Sequence, residues 1–110
     1  MRVLIVEPMK PPAVKDISGT LESMQSIVGG LIQAVYPFVE PVVLICNDEG
    51  KLMSLPMNRY VPELRDIICG TFFLCSAPPG SGHFASLTEE QINRYTQRFA
   101  TLLLFLGSDI

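Results

Sequence analysis

Three segments of this sequence are apolar at nearly every position: Val3-Leu4-Ile5-Val6, Val42-Val43-Leu44-Ile45-Cys46 and Ile67 to Cys75. Short continuous apolar runs of this kind read as buried strands. Successive side chains of a strand point to opposite faces, so a strand apolar at both parities needs cover on both. With 110 residues the chain forms one domain. Only 17% of its residues are charged, against about 25% in an average soluble domain, and mean hydropathy is +0.35. That composition excludes disorder. A net charge of −3 removes the usual electrostatic support for non-specific nucleic-acid binding, so no direct nucleic-acid contact is expected.

The rest of the chain supplies two helices and weaker strands. Pro8, Pro11 and Pro12 make a rigid turn, and Ala13 to Ile17 returns from it as an edge strand carrying Lys15 and Asp16. Thr20 is the N-cap of a first helix, with Leu21, Met24, Ile27 and Val28 on its apolar stripe and Gly29-Gly30 as its stop. Leu31 to Tyr36 is the next strand, ending at Pro37. Asn47-Asp48-Glu49-Gly50 is a hairpin-type turn, from which Lys51 to Met57 returns as a weaker strand, followed by an irregular polar stretch from Asn58 to Arg65. Thr88 and Gln91 form the capping box of a second helix, with Leu87 and Ile92 as its hydrophobic staple. Its apolar face extends through Tyr95, Phe99, Leu102, Leu103 and Leu106 to a stop at Gly107.

The order β-β-α-β-β-β-β-α predicts an α+β single domain with a mostly antiparallel or mixed sheet of five to six strands. Both helices are expected on one face. The other face then needs a partner subunit, a strongly curled sheet, or the long loops around Pro37 and Pro79.

Several phrases match one family in order and spacing. They are Val3 to Pro8 with Lys10-Pro11-Pro12, Leu21 to Gln25, Val28-Gly29-Gly30, Ala34 to Pro37, Leu44 to Leu52, Leu55 to Arg59, and Asp66 to Phe73. On these the chain resembles the domain of unknown function 3846 family from Val3 to about Arg98. It departs from that pattern at Tyr60 to Leu64, where a longer acidic turn is usual, and in its apolar tail after Phe99. The resemblance implies a small intracellular bacterial or phage-type protein, often associated with mobile elements. It implies no reaction.

Candidate sites are few. Gly80-Ser81-Gly82-His83-Phe84-Ala85 fits G-x-G-x-x-A, but the capped helix starts several residues too late and no later strand carries a ribose-binding acid. The single histidine, His83, and the three cysteines are scattered, so neither a zinc site nor a Cys–His pair is expected; Cys46, Cys69 and Cys75, all inside apolar runs, read as buried thiols rather than a disulfide framework. No catalytic residue, metal or cofactor is assigned.

Asn58 and Arg59 are the candidate ligand-binding pair, because an arginine fork grips a carboxylate or phosphate bidentately and Asn58 adds an amide. Asn47 joins them as a third candidate. The structural alternative gives Asn58 a turn and pairs Arg59 with Glu63 or Asp66 at the surface. Leu102, Leu104 and Phe105 are the candidate interface, since the last two point away from the main helix face. A helix end sunk into a partner explains them; ordinary core and a disordered tail are the alternatives.

The expectation is therefore a non-enzymatic interaction or accessory domain that self-associates, as a dimer. Two alternatives stand beside it: a small-molecule or phosphate-binding protein centred on Asn58 and Arg59, and an acidic inhibitor of a nucleic-acid-binding protein. The apolar segments are too short for a membrane span, which takes roughly 20 residues, or for a signal peptide, so a cytoplasmic location is expected.

Overall fold

A computed structural model of the chain describes residues 1–102. The elements run β1 (Arg2–Val6), β2 (Ala13–Asp16), α1 (Leu21–Val28), β3 (Ile32–Val35), β4 (Val42–Asn47), β5 (Met57–Val61), a short 3-10 turn (Pro62–Leu64), β6 (Asp66–Cys69), β7 (Phe72–Ser76) and α2 (Glu89–Arg98). Five strands form an antiparallel sheet in the order β2-β1-β7-β4-β3, and β5 pairs with β6 in a separate two-stranded sheet. The fold is α+β in one compact domain, as the order of elements requires.

The two-sided apolar strands sit at the centre. β4 and β7 are buried at every position and β1 at all but Arg2. One parity, Val3, Ile5, Val43, Ile45, Phe73 and Cys75, packs under Met24 and Val28 of α1. The other, Leu4, Val6, Val42, Leu44, Cys46, Phe72 and Leu74, packs under Ile92, Tyr95 and Phe99 of α2 with Val61 and Ile68 of the small sheet. The helices therefore lie on opposite faces, which corrects the expectation of both on one. Topology is the reason: α1 carries the chain from one edge strand to the other across one face, while the β4-to-β7 connection and α2 fall on the second. The second cover comes from the same chain, so two-sided apolarity alone no longer calls for a partner.

Three local expectations also change. The run Ile67 to Cys75 is two strands in two sheets, broken at Gly70, whose φ is +87° and where a Cβ would meet Leu55 Cδ1 at 2.7 Å. Lys51 to Ser54 forms turns rather than a strand returning along β4; the next strand, β5 at Met57–Val61, takes in part of the stretch expected to be irregular and pairs with β6. Helix α2 ends at Arg98 with Phe99 as C-cap, rather than continuing toward Gly107. Leu102 is half-buried, and Leu104 and Phe105 lie outside the described residues.

The helix starts are as read. Thr20 Oγ1 accepts from Ser23 N–H, and Gly29 closes α1 at φ +80°. Thr88 and Gln91 exchange both capping-box bonds. Among the described residues no helix is long and apolar enough to cross a membrane.

Candidate functional site

Asn58 and Arg59 sit side by side on β5, yet both are buried, at 0% and 3% exposure. Asn58 Nδ2 donates to the carbonyls of Val6 at 2.8 Å and Gly70 at 2.9 Å. Its Oδ1 accepts from Arg59 Nη1 at 2.8 Å. Arg59 donates Nε to the Phe99 carbonyl at 3.1 Å and Nη2 to the Lys10 carbonyl at 2.6 Å. The pair thus joins the end of β1, the Gly70 break, the turn at Lys10 and the carbonyl of Phe99, the C-cap of α2. A bulge lets both side chains turn inward, since the β5–β6 register shifts between Met57 and Arg59.

This geometry fits a clamp. Burial lowers the Arg59 pKa, and among the described residues no carboxylate pairs with it. The α2 C-terminus supplies partial negative charge through the Phe99 carbonyl, which offsets part of the cost of burying the cation. A ligand here would have to displace bonds that already satisfy the pair. The surface pairing of Arg59 with Glu63 or Asp66 does not form either: Glu63 pairs with Arg98, and Asp66 with Lys51.

Asn47 lies elsewhere, at the end of β4, and is also buried. Its Nδ2 donates to the Val28 carbonyl at 3.1 Å, capping the last turn of α1, and its Oδ1 accepts from Glu49 N–H at 2.7 Å. It shares a shallow cleft with Cys46, Cys69 and the Lys51–Asp66 ion pair. Thiol chemistry is suppressed at Cys46 and Cys75, because burial raises their pKa values to about 11 and about 12, with the Asp48 charge adding to the shift at Cys46. His83 is exposed in a loop closed by its own contacts with Ser81. Among the described residues no group of three metal-binding side chains gathers.

Where side chains are engaged inward, two strands of the main sheet leave backbone groups outward. Among the described residues, both β2 and β3 have a strand partner on one side only. The Asp48 N–H to Leu31 carbonyl bond, 2.8 Å, sets the phase of the β3–β4 ladder. Bonded and non-bonded pairs alternate in an antiparallel ladder, so Gln33 and Val35 bond inward to β4 and the N–H and C=O groups of Ile32 and Ala34 point outward. On β2 the Met1–Ile17 bonds set the same alternation, leaving Val14 and Asp16 outward.

The two edges are chemically unlike. β2 follows Pro11-Pro12, carries Lys15 and Asp16, and the Asp16 carboxylate pairs with the N-terminal ammonium. Prolines and charges are the usual guards against edge-to-edge pairing. The stretch Leu31-Ile32-Gln33-Ala34-Val35-Tyr36 has neither until Pro37. Gln33 and Ala34 are exposed, and exposed Leu31 and Tyr36 flank them. Exposed Leu52 shares a cleft with Gln33, and exposed Met53 a groove with Leu31. This edge was not among the candidates read from sequence, although its signal, six consecutive residues without charge or proline, was there.

No curated protein and no solved structure matches this chain. One family model does, and it spans residues 1–100. That span takes in both edges, the clamp and both helices: the chain belongs to the domain of unknown function 3846 family.

Proposed function

We propose that this chain is an interaction or accessory domain that self-associates. The observation that carries this reading is the uncharged β3 edge, open among the described residues and flanked by exposed Leu31 and Tyr36. Backbone donors and acceptors on such an edge are a ready template for another strand. The polar side chains that suggested a ligand site are engaged within the fold, Asn58 and Arg59 in the clamp and Asn47 at the end of α1, which favours this reading over a ligand site. The family resemblance extends the proposal to a small cytoplasmic protein of bacterial or phage type.

Sedimentation velocity across the micromolar range tests it. The expected result is a monomer–dimer shift with concentration. A single monomeric species throughout that range contradicts it.

A further inference from the structure

Resting on the reading of a self-associating domain, we propose where and how the copies meet: β3 of one copy pairs antiparallel with β3 of a second, joining two five-stranded sheets into one across a two-fold axis. The outward N–H and C=O groups of Ile32 and Ala34 supply the hydrogen bonds.

The occupant follows from three features of the strand. An antiparallel pair formed by one strand with itself is isologous, so it closes as a dimer and does not propagate. The chain carries net charge −3, which opposes self-association in general, yet no charge falls between Leu31 and Tyr36, so no like charges meet across the pair. The exposed apolar side chains at the two ends of β3 are also placed for a dimer. Antiparallel pairing brings the Leu31 end of one copy beside the Tyr36 end of the other, covering residues that are 58% and 60% exposed in the single chain. The opposite edge has none of these properties, with Lys15 and Asp16 in its strand and prolines at its entry.

The test uses proline as a selective block. Ala34→Pro removes an outward donor while sparing the inward bonds to β4. Val14→Pro makes the same change on the outward side of β2. Sedimentation equilibrium of the full chain and both variants, with a thermal melt of each, gives the readout. The expected result is that Ala34→Pro weakens association by about tenfold or more with its cooperative melt kept, while Val14→Pro associates like the wild type. If Ala34→Pro does not fold, Gln33→Lys replaces it, because it puts a charge on an exposed side chain without touching the ladder; the same loss of association is expected. If the wild type associates and folded Ala34→Pro or Gln33→Lys associates equally well, the β3 contact is wrong while self-association stands. If the wild type is monomeric throughout, both readings fall. An unrelated extended peptide that protects the Ile32 and Ala34 amides of a monomeric chain would overturn the second copy as occupant.

Discussion

The Asn58–Arg59 clamp and the β3 edge use polar groups in opposite ways. In the clamp, two strongly polar side chains are buried and spend their donors on the Val6, Gly70, Lys10 and Phe99 carbonyls. At the edge, the available polar groups are backbone amides and carbonyls of Ile32 and Ala34, carried by residues whose side chains have little polar chemistry. The conspicuous residues are structural, and the inconspicuous ones are open to contact. Side-chain chemistry alone does not locate an interface when the exposed groups belong to the backbone.

The sharpest way to break this contrast is to cut the clamp. Asn58→Ala leaves the Val6 and Gly70 carbonyls and one arm of Arg59 without their partner, in a site with no exposure. The expected loss is about 2–4 kcal/mol of unfolding free energy in a denaturant titration. Folded Asn58→Ala should still associate, because the clamp lies off the β3 edge. A variant of wild-type stability would mean that the buried bonds contribute little.

The next effect acts on association alone. Gln33→Lys should weaken dimerisation by about tenfold, roughly 1.4 kcal/mol, while moving the melting temperature of the monomer little. Unchanged association would show that the copies do not meet along β3.

Removing a guard should work in reverse. Lys15→Val with Asp16→Thr leaves β2 uncharged, and light scattering should then show assemblies larger than a dimer, because a second open edge allows chains of copies. Assemblies confined to dimers would show that the charges are not what keeps β2 unpaired.

The smallest effect is one of pH, and it concerns how α2 is held. Burial alone would raise the Glu40 pKa, but hydrogen bonds from Tyr95, Arg94 and Gln91 outweigh it and lower the value below 4.5. The Glu63 carboxyl is lowered chiefly by its hydrogen bond from Arg98. A carboxylate with a depressed folded-state pKa contributes stability above its unfolded value, and that contribution is lost as pH falls through the folded one. Stability should therefore decline as pH drops below 4.5, and Glu40→Gln should flatten part of that decline in melts across the acid range. An identical acid profile in the variant would remove Glu40 from the account.

Much of the fold was legible because its signals are local. The caps at Thr20 and Thr88, the stop at Gly29 and the two-sided apolar strands each rest on neighbouring residues. What was not legible depends on distant partners. Helix α2 stops at Arg98 although the next residues are apolar and helix-compatible, and the Phe99 carbonyl at its end is taken by Arg59. The break at Gly70 depends on Leu55 standing over it, and on Asp66–Cys69 finding β5 rather than the main sheet. The choice of face by each helix depends on strand order. As for the site, Asn58 and Arg59 looked available because, apart from each other, their partners are backbone carbonyls, which leave no mark in a sequence.

The most direct test of the open edge is amide hydrogen exchange, resolved by residue and followed as protein concentration rises. If β3 is the contact strand, the Ile32 and Ala34 amides become more protected with concentration, while the outward Val14 and Asp16 amides of β2 exchange at an unchanged rate. Protection that rises equally at both edges, or at neither while the chain dimerises, would contradict it.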